Sequence, residues 1–144
     1  MIAVRDYRPG DLDRVARQPM EMGDPQADAR APDLGPTFTV TRRGRPILVA
    51  GLAEAHAGYA SAWARIGRDL GGDYPAVARA VRRVLDACGY ARVDVMVRDD
   101  WRRAHDLVRL LGFTFEGVMR RAGPRGEDFA IYARVRDVAE GGIR

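Results

Sequence analysis

The stretch "AHDLVRLLGFTFEGVM", residues 104 to 119, starts with the spacing of a helix and ends with the spacing of a strand. Ala104, Leu107, Val108 and Leu111 recur at separations of three and four, which puts them on one helix face. Gly112 stands where that helix should stop, and Phe113, Phe115 and Val118 follow in extended fashion. A chain that leaves a helix this abruptly passes through a left-handed conformation, which is cheap only for glycine. The stretch therefore predicts a helix over residues 101–111, a glycine cap, and a strand whose Phe113 tucks under the helix it has just left. Such a corner is architecture; the chemistry has to be sought elsewhere.

Downstream, the strand from Phe113 to Met119 turns around "GPRG" and returns as "EDFAIYARV", a closing hairpin. Upstream, "ARVDVMV" groups Val93, Val95 and Val97 on one side of a strand, and Asp99 or Asp100 is expected to cap the helix that follows. Pro75 fits the first turn of another helix, with Val77, Val81, Val84, Leu85 and Cys88 on its face and Gly89 at its end. "GYASAWARI" reads as a strand with Tyr59, Ser61, Trp63 and Arg65 on one side and alanines with Ile66 on the other. "TFTVTRRGRPILVAGLAEA" reads as a hairpin whose second strand is nearly all apolar from Ile47 to Ala53, as suits a strand covered on both faces. "MIAVRDY" opens the chain as a strand, and in "RPGDLDRVAR" Asp11 is a plausible N-cap for Leu12, Val15 and Ala16. Residues 19 to 36 hold four prolines and little periodicity, a loop or broken helix. The element order predicts one α/β domain over residues 1–144, with a mixed, mostly antiparallel sheet flanked by helices.

The 144 residues include 47% hydrophobic and 31% charged, ordinary globular composition. One cysteine, Cys88, allows no intramolecular disulfide, and with no signal-peptide pattern or long apolar run the expected setting is a reducing cytoplasm without membrane insertion. All 24 basic residues are arginine. The net charge of +4 invites a nucleic-acid reading, but the arginines alternate with acids, as in "VRDDWRRAHD", and no basic run carries interleaved aromatics. A solvated mixed-charge surface explains them better.

The "AHDLVRLLGF" helix ending in apolar-Gly-Phe, the aromatic hairpin after it and the whole order of elements resemble the GNAT superfamily of acyl-CoA N-acyltransferases. The "RAVRRVLD" helix and the "RLLGFTFEGVMRR" ending further resemble a divergent GNAT-like group of tailed bacteriophages and prophages. The resemblance implies a single-domain GNAT-like fold in which the strands ending near Ile66 and Val97 lie parallel and diverge. It implies acetyl-CoA as co-substrate, no metal, and an acceptor that is a small-molecule or protein amine. It allows instead a catalytically degenerate accessory or virion-assembly protein that binds a protein partner.

By the same resemblance, the cofactor lies against the strand ending at Ile66, with backbone N–H groups of Ala64, Arg65 and Ile66 binding the acyl carbonyl or oxyanion. Its pyrophosphate falls on "GRDLGGDYP", where Gly71 and Gly72 permit close approach, Arg68 supplies charge, and a helix N-terminus follows. Tyr74 falls where the family has a second glycine, and Trp101 where an asparagine often contacts the cofactor. The proton for the departing thiolate commonly comes from a tyrosine whose position is Val108 here. Glu54, delivered by the apolar strand to the sheet centre where burial would raise its pKa, is the first candidate for general base, and His56 the second. His105 is expected to be exposed to solvent.

Overall fold

The seven expected strands and two of the three expected helices form in a computed structural model that describes residues 1–15, 30–68 and 70–137. The strands are β1 (Ile2–Asp6), β2 (Thr37–Arg42), β3 (Arg45–His56), β4 (Tyr59–Ile66), β5 (Arg92–Arg98), β6 (Thr114–Met119) and β7 (Phe129–Val135). The helices are α1 (Tyr74–Ala87) and α2 (Arg102–Leu110). One seven-stranded sheet has the order β1-β2-β3-β4-β5-β7-β6. Every neighbouring pair is antiparallel except β4 with β5, so the sheet is mixed, as expected.

The β2–β3 hairpin turns through Arg43 and Gly44, at φ of 51° and 80°, the doubly left-handed turn that matches strand twist. β3 is covered on both faces. Leu48, Ala50 and Leu52 join Val77, Val81 and Leu85 of α1 in the main core, while Val49 packs with Leu12 and Val15 on the other side.

The corner at Gly112 forms as its sequence demands. Gly112 has φ of +93°. Its N–H donates to the Arg109 carbonyl and that of Phe113 to the Val108 carbonyl, both at 3.0 Å, which is the Schellman pattern. Val108 and Phe113 are buried in the same core, so the apolar contact that accompanies this motif holds α2 against β6 and β7.

Three end signals act differently from their local reading. Asp11 does not cap the turn after it. Its carboxylate accepts two bonds from Arg5 (2.7 and 3.0 Å), one from the Arg8 N–H (2.8 Å) and one from the Thr39 hydroxyl (2.7 Å). A buried charge gains more from four donors than from one frayed helix end, and Leu12–Arg14 forms only a 3₁₀ turn. Neither Asp99 nor Asp100 caps α2; Trp101 holds that position, and Asp100 is drawn back to the Arg98 guanidinium at 2.7 Å. α1 ends at Ala87 because Cys88 is already extended, one residue before the expected glycine. Of the segment 19–36, Ala31–Leu34 forms a 3₁₀ turn, while residues 19–29 and Ala16 lie outside the described residues.

A Cβ at Gly112 would come no nearer than 3.6 Å to Arg82 and 3.7 Å to Arg134, so the barrier to substitution is the backbone and not a clash. Gly112→Val should cost about 1 kcal/mol or more, read as a lower urea midpoint. The Arg5 guanidinium beside Asp11 holds its carboxyl well below the usual carboxylate range, and burial opposes this only in part. The folded state therefore resists protonation more than the unfolded chain does, so this stabilisation is complete above the ordinary carboxylate pKa and drains as pH falls below about 4. Asp11→Asn should lose about 2–4 kcal/mol at pH 7, and its deficit against the parent should shrink steadily on acidification. A deficit constant with pH would show that the charge on Asp11 is not what matters.

Candidate functional site

The sheet opens at its single parallel junction. β4 and β5 pair at Tyr59–Arg92, Ala60–Val93 and Ser61–Asp94 and no further, although β4 continues to Ile66 and β5 to Arg98. The Gly67 N–H bonds to the Ile47 carbonyl, so by ladder alternation the odd-numbered residues of β4 turn their backbone groups to β3. Ala62 and Ala64 then direct theirs into the opening. Arg65 does not: its backbone faces β3, and its side chain bonds the Leu12 carbonyl at 3.1 Å. β4 keeps a regular register against β3 from Ile66 to Ala60, and the irregularity lies between Glu54 and His56. Divergence of β5, and no bulge in β4, is what opens this row of backbone groups.

The two faces of the junction differ sharply. Ala60 and Val93 are buried in the helix-covered core, and Glu54 pairs with Ala60, which places it on that face. Glu54 is exposed, not buried at the sheet centre as expected. The core ends at Leu52, two residues too soon. Its carboxylate accepts the Tyr90 hydroxyl at 2.7 Å, a bond that pushes the Tyr90 phenol up to about 12.

One residue along, the opposite face gathers Tyr59, Ser61 and Asp94. The Ser61 hydroxyl donates to Asp94 Oδ1 at 2.6 Å and the Tyr59 hydroxyl donates to Oδ2. The Asp94 side chain is only 15% exposed. Arg92 approaches it to 3.8 Å while a two-bond grip from Glu116 (3.0 and 2.7 Å) holds the guanidinium over the Tyr59 ring, 5.7 Å from its centre. That grip lowers the Glu116 carboxyl and raises the Arg92 guanidinium. The irregularity after Glu54 pairs His56 with Tyr59, and their rings meet edge to face at 5.5 Å. His56 therefore belongs to this cluster and Glu54 does not. Sequence reasoning missed Asp94, which looked like an ordinary outward residue of an alternating strand.

At the other end of the opening, Gly71–Asp73 makes a 3₁₀ turn into α1. Gly71 and Gly72 are exposed, and a Cβ on either would meet nothing within 4 Å. Asp73 does not cap α1, because Arg42 of β2 takes its carboxylate at 2.6 Å and also donates to the Leu70 carbonyl at 3.0 Å. Arg68 is exposed beside this turn, while Asp69 lies outside the described residues. Tyr74 turns inward between α1 and α2, where burial first, and then the Asp106 carboxylate, push its phenol up. Trp101 sits half-buried at the start of α2. Val108 is core, beneath the Gly112 corner, and offers no proton. His105 is not solvent-exposed: its side chain is 14% exposed, Nε2–H donates to the Asp99 carbonyl at 2.8 Å, and Nδ1 accepts the hydroxyl of fully buried Tyr132 at 2.7 Å.

Among the described residues no group of three or more His, Cys, Asp or Glu side chains is placed to hold a metal ion, and no helix is long and apolar enough to cross a membrane. The site is therefore an opening lined by backbone donors, with a carboxylate cluster on one face and a helix N-terminus at its mouth. Asp94→Ala would strand two hydroxyls beside the junction and should cost about 1–3 kcal/mol, whereas Asp94→Asn keeps an acceptor and should cost less. Chemical unfolding of the two variants measures the difference; equal losses would separate the cluster from the junction's stability.

No family model matches the sequence, and neither does any curated protein. Solved structures do match in shape. The ribosomal-protein-S18-alanine N-acetyltransferase from Escherichia coli superposes with a TM-score of 0.74 at 18% identity, covering 100% of this chain and 99% of that one. An acetyltransferase of the GNAT family from Streptococcus pneumoniae gives 0.74 at 13% identity, over 96% and 100% of the two chains. The ribosomal-protein-S5-alanine acetyltransferase from Vibrio fischeri gives 0.71 at 15%, over 94% and 93%. At these identities the likeness establishes architecture, and the architecture is that of the GNAT acetyltransferases.

Proposed function

We propose that this chain is an acetyl-CoA-dependent N-acetyltransferase, with Asp94 as the carboxylate that receives the amine proton. The observation that carries the reading is the junction: a parallel pair that opens after three positions, with Asp94 at the vertex on the face away from the helices. Acetyl-CoA, when bound, supplies the thioester carbonyl that an amine attacks and the thiolate that leaves. The exposed glycines before α1 suit its phosphates, and the opening suits its acyl end.

Backbone N–H groups of Ala62 and Ala64 are aimed where the carbonyl oxygen gathers charge. An acceptor amine reaches the vertex from the Asp94 side. As its nitrogen bonds to carbon, its proton passes to Asp94, which Tyr59 and Ser61 hold in place. The thiolate needs no acid from Val108, because its pKa lies far below that of an amine. The acceptor is a small-molecule or protein amine, and a reducing cytoplasm is the natural setting for the reaction.

Titration with acetyl-CoA tests the binding step: at one hundred times Kd it should stabilise the fold by about 2.7 kcal/mol, visible as a thermal shift. In turnover with an amine panel, Asp94→Asn should lower kcat by about 10²-fold or more, while Glu54→Gln leaves it near the parent's. Full activity of Asp94→Asn would move the base elsewhere, to His56 first. Absence of binding at millimolar cofactor would favour the second reading, a GNAT-shaped accessory protein that engages a protein partner, as in the phage group its ending resembles.

A further inference from the structure

The helix-covered side of the opening is a seam between α1 and α2, running along the part of β4 that β5 has left. Its floor is Leu48 and Ala50 of β3 with Ala64 and Ile66 of β4, and its walls include α1 and Leu107 of α2. A thioester arm that reaches the vertex from the α1 N-terminus has to lie in this seam. Yet the seam holds a cavity of only about 40 Å³, room for no more than a few water molecules. Tyr74 forms part of its wall: it lines the cavity with those leucines, is half-buried, and packs on the main core.

Val77, Ala78, Val81 and Leu85 supply the fully buried face of α1, and Tyr74 is only half-buried beside it. Tyr74 is also the first residue of the helix, separated by Asp73 from the exposed pair Gly71 and Gly72.

We propose that Tyr74 is a plug that sets donor affinity: its ring closes the seam between α1 and α2 and must swing out before the donor arm can lie along β4. The proposal rests on the acetyltransferase reading. Binding then draws only on the fraction of molecules with the seam open, and the apparent Kd exceeds the intrinsic one by the inverse of that fraction. Were the open state populated at roughly a tenth, deleting the ring would tighten binding about tenfold.

The test is calorimetric and stopped-flow titration of the full chain with coenzyme A. Tyr74→Ala should bind about tenfold tighter, mostly through a faster on-rate, and Tyr74→Phe, which keeps the ring, should match the parent. Leu107→Ala widens the seam from its other wall and should also tighten binding; it carries the test alone if Tyr74→Ala does not fold. Binding by the parent with equal or weaker binding by the opened variants would overturn the plug and leave the acetyltransferase reading intact. No binding by the parent but binding by Tyr74→Ala would support the plug and count against the acetyltransferase reading of the parent chain. No binding by any of them would overturn the acetyltransferase reading and the plug with it.

Discussion

Three parallel pairs hold the two halves of this sheet together. β1 to β4 form one antiparallel group and β5, β7 and β6 another, and among the described residues the strands of the two groups pair only between Tyr59–Ser61 and Arg92–Asp94. Twist makes neighbouring strands diverge, and a junction this short lets them do so at once. What resists complete separation is side-chain chemistry. Ser61 and Tyr59 reach from β4 to the same carboxylate on β5, and Glu116 of β6 steadies the Arg92 guanidinium beside it. The residues that close the vertex are also those that give it a charge. Under the proposed reading a site and a structural clasp are built from the same atoms, so altering Asp94 would act on both stability and chemistry.

The helices serve that junction from the other face. α1 bridges β4 to β5 and anchors its apolar stripe on β3, while α2 is fixed at its far end by the Gly112 corner and at its near end by His105 on Tyr132. Two well-fixed helices leave the gap between them to be filled by whatever side chain stands at its mouth. Tyr74 stands there, half-buried against the main core.

Local pattern sufficed where structure is local. The Gly112 corner, the Arg43–Gly44 turn and the two-sided burial of β3 are each set by residues within a few positions of one another, and each forms as its spacing implies. The site was harder because its contacts are long-range. Tyr59 and Ser61 lie 35 and 33 residues from Asp94, and nothing in "RVDVMVR" marks its third residue as more than an outward-facing acid. Glu54 misled because an apolar run shows that a strand is buried but not where burial ends. The strand irregularity after it then put His56 and Glu54 on different faces. His105 was hidden in the same way, its partner being 27 residues further on. Asp11 shows the converse: its local signal as a helix cap was sound, but Arg5 and Thr39 outbid the helix.

Arg5 with Asp11, Arg42 with Asp73 and Arg92 with Glu116 share a property beyond their geometry: each cation is a guanidinium, in a chain that has no lysine. A lysine ammonium can lose its proton, attack a thioester and lose its charge for good, whereas a guanidinium stays protonated and is a poor nucleophile. The ion pairs that tie β1, β2 and β5 into place are accordingly inert toward acylating reagents. If the chain works beside an activated acyl group, as proposed, these ion pairs hold without offering that group an amine side chain to acylate.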